Sequence, residues 1–215
     1  MTISTIHQSV DQFICTFDRI LKVTTGTLSA SDRPSPAITL ASPQLNDREQ
    51  QLSASLMRIN HSGEVCAQAL YQGQTMTAKN RRVAAAMEKA SEEEFDHLVW
   101  CEDRLRELDS HVSYLNPLWY VGSVSMGAIA GMLGDRINLG FVAATEEAVV
   151  DHLNDHLKKL PEADVRSRAI LEQMQEDERQ HGRLAMDSGG RKFPKPVRKM
   201  MRSVSKVMTG ASRWI

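Results

Sequence analysis

Apolar side chains recur at intervals of three and four residues along most of this 215-residue chain, the spacing typical of amphipathic helices. The pattern predicts a short helix over 9–22 and four long ones, over about 50–78, 81–108, 137–160 and 161–187. Two antiparallel pairs made from the four long helices would form a four-helix bundle, so we expect an all-α fold. The charged outer face of the second long helix, which includes Glu102 and Arg104, predicts a solvated surface.

Between the second and third long helices lies a stretch without charge, residues 112–134. It is long enough to cross a bilayer, but Asn116, Pro117 and its four glycines dilute its hydrophobicity. We therefore interpret it as an additional apolar helix that is buried or contacts a membrane. A true membrane span is the alternative.

The C-terminal segment, residues 191–215, has no acidic residue. It carries eight positive charges, on Arg191, Lys192, Lys195, Arg198, Lys199, Arg202, Lys206 and Arg213. Its apolar residues fall on one helical face, and a basic amphipathic helix of this kind is typical of binding to anionic membranes. The alternative is a helix docked on its own domain with a solvated basic face.

These patterns divide the chain into three parts. Residues 1–46 hold the short helix and an irregular serine- and proline-rich connection. Asp47 offers a helix N-cap, with Gln50 as its capping-box partner, and opens a bundle over 47–190 that includes the apolar helix 112–134. Residues 191–215 form the basic C-terminal helix.

Two copies of a Glu-x-x-His motif are the chemical centre of the sequence. Each places a carboxylate and an imidazole one helical turn apart on one face, within an apolar stripe. A further core-facing glutamate precedes each copy by about thirty residues. The complete set is Glu64, Glu94, His97, Glu146, Glu178 and His181.

Carboxylates that face a core are costly unless something compensates their charge. Four of them balance two divalent cations, and oxygen with imidazole ligands suits iron or manganese. Such sets occur in ferritin-like dinuclear carboxylate bundles. A single Glu-x-x-His is more often a surface pair, but its repetition with matched upstream glutamates favours a dinuclear metal site.

Other features of composition limit the function. The net charge of −1 gives no general attraction to nucleic acid, so we expect no nucleic-acid partner. Cys15, Cys66 and Cys101 are scattered, which argues against zinc or iron–sulfur ligation and fits a reducing compartment. No secretory signal pattern is seen, and no glycine fingerprint predicts a flavin or NAD site.

The run Leu56–Glu64, the two Glu-x-x-His pairs and Thr145-Glu146-Glu147 resemble the Coq7-type demethoxyubiquinone hydroxylases, which are ferritin-like di-iron monooxygenases of ubiquinone biosynthesis. The similarity extends from about Asp47 to the C-terminus. It implies that the six residues above bind two iron ions, with Glu94 and Glu178 bridging them, and that O2 is the co-substrate. The implied reaction hydroxylates the ring of a polyprenylated methoxy-methyl-benzoquinol.

The resemblance also implies a peripheral protein on the cytoplasmic face of the cell membrane. Electrons would come from outside the chain or from the quinol itself, and the expected partners are the quinol, the membrane surface and an electron donor or other quinone-biosynthesis proteins. A ferritin-like ferroxidase or iron-handling protein and a tRNA-modifying di-iron hydroxylase are the alternatives. Four further residues are weaker candidates, because packing or surface roles would explain them as well. His61 and Tyr71 would border the pocket, and Glu93 and Asp177 would orient the histidine ligands.

Overall fold

The computed structural model describes residues 20–28, 31, 33–42 and 44–213. Within these ranges the chain is helical and contains no strand, which confirms the all-α prediction. The helices are α1 (Asp47–Thr77), α2 (Arg81–Glu107), α3 (Asn116–Met132), α4 (Asp135–Lys159), α5 (Val165–Asp187) and α6 (Lys195–Ser212). Residues 20–25 are also helical, and the remainder of the helix predicted over 9–22 lies outside the described residues.

The N-cap of helix α1 is Asn46, one residue before the predicted cap. The side chain of Asn46 accepts the backbone N–H of Glu49, and the carboxylate of Glu49 accepts the backbone N–H of Asn46, both at 3.0 Å. This is a capping box, so the prediction of Asp47 with Gln50 is wrong. Asn46 and Asp47 are both good cap residues, and the charged acceptor of Glu49 selects the register that begins with Asn46.

Helices α1, α2, α4 and α5 form the bundle, with a hydrophobic cluster at each end. One cluster brings together Met57, Trp100, Leu153 and Ile170 from the four helices. At the other end the same helices contribute a second cluster, which includes Tyr71, Met87, Leu139 and Ala185. Along the chain, α1 and α5 meet the first cluster before the second, whereas α2 and α4 meet the second before the first. Helices α1 and α2 are therefore antiparallel, and so are α4 and α5. The residues at the middle of each helix lie between the two clusters.

Helix α3 packs against α1 through backbone contact. A Cβ added at Gly127 would lie 2.2 Å from the carbonyl oxygen of Leu70, and one at Gly73 would lie 2.2 Å from that of Val124. Only glycine permits this approach. The outer face of α3 exposes large apolar side chains, namely Leu118, Val121, Ile129, Met132 and Leu133. In the part of the chain that the structure describes, no helix is both long and apolar enough to cross a membrane.

The C-terminal helix α6 docks on its own domain. Arg198 pairs with Glu147 at 2.6 Å and Arg202 pairs with Asp151 at 2.7 Å, both across to α4. At its other end, Trp119 of α3 donates its indole N–H to Ser212 at 3.0 Å. The helix is therefore docked, as the alternative has it, but its basic face is not simply solvated, because two of its arginines pair with α4. The apolar residues Met200, Val204 and Val207 stay exposed.

Candidate metal centre

The six predicted residues come from all four bundle helices and meet at mid-length. Each is at most 6% exposed. Their donor atoms form two overlapping groups, and within each group the atoms lie within 4.8 Å of one another. The groups are Glu64, Glu94, His97, Glu178 and Glu94, Glu146, Glu178, His181. Glu94 and Glu178 belong to both.

Each of these two shared carboxylates turns one oxygen toward the first group and its other oxygen toward the second. Glu94 places Oε2 3.3 Å from Nδ1 of His97 and Oε1 3.3 Å from Nδ1 of His181. Glu178 places Oε1 3.2 Å from Nδ1 of His97 and Oε2 3.2 Å from Nδ1 of His181. Glu64, by contrast, approaches only His97, at 3.6 Å. This geometry would suit two bridging carboxylates, Glu94 and Glu178, in a dinuclear metal site.

Three of the four weaker candidates contact the cluster. Nε2 of His97 lies 2.9 Å from Oδ2 of Asp177, and Nε2 of His181 lies 2.6 Å from Oε2 of Glu93. Each carboxylate can accept the Nε2–H of its histidine, so Nδ1 faces the cluster and is the nitrogen that would bind a metal ion after losing its proton. The hydroxyl of Tyr71 donates to Oε1 of Glu146 at 2.6 Å.

His61 is also fully buried, but its hydrogen bond leads away from the cluster. Its Nδ1 accepts from the side-chain amide of Asn116 at 3.3 Å, a contact to the first turn of α3. Burial lowers the pKa of His61 to about 3, so the ring is neutral at physiological pH. In this structure it links α1 to α3.

The charge of the cluster is unbalanced in the metal-free protein. Burial, together with the neighbouring carboxylates of Glu94 and Glu178, raises the pKa of Glu64 and of Glu146 well above the usual range. Burial also opposes the imidazolium of His181, but Glu178 and Glu94 outweigh it and raise its pKa to about 12. The cluster therefore retains protons when no cation is bound, and cations would take their place.

Several donor atoms in the cluster lack any hydrogen-bond partner. They are both carboxylate oxygens of Glu94, Oε2 of Glu146, Oε1 of Glu178 and Nδ1 of His97. A buried polar atom without a partner costs about 1–3 kcal/mol, so five in one place need a compensating ligand. The donors are carboxylate oxygen and imidazole nitrogen, which fit two divalent cations of the iron or manganese type.

A cleft of about 460 Å³ between α4 and α5 reaches this cluster. Glu146 and Glu178 form part of its lining. Small residues lie along both helices at this point, namely Gly140, Ala143, Ala144 and Gly182, and Val150, Met186 and Phe193 add apolar surface. Charged residues complete the lining, namely Glu147, Asp151, Arg179, Arg183, Asp187, Lys192 and Arg198.

One side chain that contacts Asp177, beside the metal cluster, was not predicted from the sequence. Arg33, from the irregular N-terminal connection, pairs with Asp177 at 2.9 Å and with Asp96 at 2.8 Å. A single arginine beside Pro34 and Pro36 carries no periodic pattern that would indicate a partner on α5.

Comparison with known proteins gives a consistent picture. The COQ7 family model, described as "Ubiquinone biosynthesis protein COQ7", matches residues 51–212. The chain is 55% identical over 203 residues to the 3-demethoxyubiquinol 3-hydroxylase of Ectopseudomonas mendocina (strain ymp), with 94% of both chains covered. It is 55% identical over 199 residues to the enzyme of that name from Chromohalobacter salexigens, with 93% of both covered. The corresponding protein of Stutzerimonas stutzeri (strain A1501) is 52% identical over 206 residues, with 96% of both covered.

Proposed function

Because this chain belongs to the COQ7 family of ubiquinone biosynthesis proteins, we propose that it is a 3-demethoxyubiquinol 3-hydroxylase that uses two iron ions and O2. One observation carries the proposal. Glu94 and Glu178 each present one oxygen to each of two histidines, in a buried site where five donor atoms have no hydrogen-bond partner. Such a site fits a dinuclear metal centre and serves no evident packing purpose.

The metal ligands in this proposal are Glu64 and His97 for one ion, Glu146 and His181 for the other, and Glu94 and Glu178 for both. When bound, the iron pair would supply the redox chemistry that activates O2 for transfer of one oxygen atom to the quinol ring. The residues of the chain hold the donors in place, exclude bulk water and position the ring.

The outer residues fix the orientation of the ligands. Asp177 and Glu93 hold the two histidines in the tautomer that presents Nδ1 to the metal. Tyr71 donates to Oε1 of Glu146, which leaves Oε2 of that carboxylate for the metal. These contacts preorganise the site so that little reorientation is needed when the ions bind.

The cleft between α4 and α5 is the proposed site of the quinol ring. It is lined by one terminal and one bridging ligand, Glu146 and Glu178, so a ring bound there lies beside the metal centre. The small and apolar residues of its lining, Gly140, Ala143, Ala144 and Gly182 with Val150, Met186 and Phe193, suit a substituted aromatic ring.

The test of the proposed activity is oxygen labelling. Iron-loaded protein, given a reduced demethoxyubiquinol with a short isoprenoid tail and ¹⁸O2, should form a ring-hydroxylated product that carries the label. Zinc-loaded protein, which has no redox chemistry, should form none. Oxidation of iron without product would contradict the proposal and support the ferroxidase alternative.

We further propose that the chain binds the cytoplasmic face of the cell membrane without crossing it, where its quinol substrate resides. The exposed apolar residues of α3 and those of α6 support this, because both helices meet where Trp119 contacts Ser212. Several exposed apolar side chains on two helices that touch are typical of a membrane or protein interface, and the basic residues of α6 suit anionic lipid.

Binding to vesicles should depend on this apolar surface. Burying an isoleucine or valine side chain contributes about 1.5–3 kcal/mol, so the double substitution Ile129→Asn with Val207→Asn should weaken partitioning into anionic vesicles at least roughly 100-fold. The matched control is Ile38→Asn with Val165→Asn, which changes exposed residues outside α3 and α6. Sedimentation with vesicles measures the binding of both double variants. Equal loss of binding in the two would contradict the proposal that α3 and α6 face the membrane.

A further inference from the structure

A segment of the N-terminal connection, residues 33–42 (the strap), lies over α2 and α5 beside the metal cluster. It precedes the residues that the family model matches. Ala37 of the strap packs in the hydrophobic cluster that contains Trp100 and Ile170. The strap is therefore part of the folded domain and not a separate tail.

Arg33 is the residue of the strap that reaches the metal site. Its Nη2 donates to Oδ2 of Asp177 at 2.9 Å, and that same oxygen accepts from Nε2 of His97. Nη2 lies only 3.4 Å from Nε2 of His97, so the guanidinium and the imidazole share one acceptor. The other oxygen of Asp177 accepts from the side-chain amide of Gln173 at 2.9 Å. Asp177 is thus held at both oxygens.

The guanidinium itself is fixed on its other sides. Nε of Arg33 donates to Oδ2 of Asp96 at 2.8 Å, and the guanidinium lies over the ring of Trp100, 4.9 Å from its centre. The indole N–H of Trp100 donates to the backbone carbonyl of Arg33 at 3.2 Å. Planar stacking with a forked pair of donors is a geometry that lysine cannot reproduce.

The two halves of the metal site differ in this respect. On the His181 side the corresponding acceptor is Glu93, whose ion-pair partner is Lys89 at 3.7 Å, with a lysine side chain that is 74% exposed. An exposed pair of that kind restrains little. On the His97 side, Arg33 anchors a carboxylate whose own side chain is 10% exposed.

We propose that Arg33 is a positioning residue, which clamps Asp177 against His97 and thereby sets the metal affinity of the half-site formed by Glu64 and His97. This inference rests on the proposed dinuclear centre. Arg33 does not contact the metal or the quinol; it acts by fixing the acceptor that orients the imidazole. Loss of an outer partner of a histidine ligand typically weakens metal binding 10–100-fold. Because Asp177 contacts His97 and not His181, we expect that effect at one of the two ions.

The test compares Co²⁺ binding to metal-free full-length protein with that to three variants, using a competing chelator and the visible absorption of bound Co²⁺. Arg33→Ala should lower the affinity for one of the two Co²⁺ ions about 10-fold and leave the affinity for the other unchanged. Arg33→Lys, which keeps the charge but not the fork, should lose part of that affinity. Arg166→Ala is the matched control, because Arg166 ties the other end of the strap through the carbonyl of Leu40.

Arg166→Ala should leave both affinities within about twofold of the wild type, even if both alanine variants lower the melting temperature of the metal-free protein. Equal affinity losses in Arg166→Ala and Arg33→Ala would overturn the proposal, since the effect would then come from the strap as a whole. Unchanged affinities in Arg33→Ala would also overturn it. Wild-type protein that binds no Co²⁺ would overturn the proposed dinuclear centre, whereas two bound ions with no effect of Arg33 would overturn this inference alone.

Discussion

Replacing Glu178 with glutamine should abolish the binding of both metal ions while leaving the metal-free protein folded. Glu178 has one oxygen toward each histidine, so its loss removes a ligand from both half-sites. In the metal-free protein the same carboxylate is buried among three others. A neutral amide removes the repulsion by those carboxylates together with the attraction to the two histidines 3.2 Å away, so the free energy of unfolding should change by no more than roughly 1–3 kcal/mol.

Metal analysis and chemical denaturation of the same preparations measure the two effects. Loss of a residue that only orients a metal ligand can lower activity roughly 100-fold. Because Glu178 is itself a proposed ligand, its loss should lower the rate of hydroxylation by more than that. Glu172→Gln, at an exposed position on the same helix, is the control. It should keep the metal content of the wild type and change the free energy of unfolding by no more than about 0.5 kcal/mol. Normal metal content in Glu178→Gln would contradict its bridging role.

Filling the cleft at Gly182 should stop hydroxylation without removing the metal. A Cβ at this position would lie 3.5 Å from Cβ of Glu146, an ordinary contact, so alanine fits. Leucine would extend into the space proposed for the quinol ring. Because a 1 Å misplacement of a substrate can cost about 100-fold in rate, Gly182→Leu should lower kcat/KM at least that much.

Gly182→Ala is the matched control. It should keep its activity and gain up to about 1 kcal/mol in stability, since glycine is unfavourable within a helix. Steady-state kinetics with iron content measured in parallel separates a blocked cleft from a damaged metal site. Wild-type kcat/KM in the leucine variant would show that the ring binds elsewhere.

Much of this site follows from local pattern. The i, i+3 spacing of each Glu-x-x-His places both side chains on one face whatever the rest of the fold does. On the third long helix, apolar residues lie on the same side as Glu146 and not on the side of its neighbour Glu147. This pattern predicts that Glu146 is the one that faces the core. The structure agrees, since Glu146 is 2% exposed in the cluster while Glu147 is exposed and pairs with Arg198.

The remaining features depend on partners that are distant in sequence. Glu102 and Arg104 were predicted to be solvated, which is wrong: both are buried. Arg104 pairs with Asp164 at 2.8 Å and donates to Ser167 at 2.9 Å, both from the start of α5. Helical periodicity assigns a charged residue to a face but does not reveal what that face meets. Arg33 was missed for the same reason, because it lies in a segment with no period at all.

The central claim is that four buried carboxylates and two histidines hold two metal ions. An anaerobic titration of metal-free wild-type protein with Fe²⁺ tests it most directly. We predict saturable binding of two ions per chain, with proton release on binding, because the acids retain protons in the absence of metal. Saturation at one ion per chain, or no saturable binding, would contradict the account.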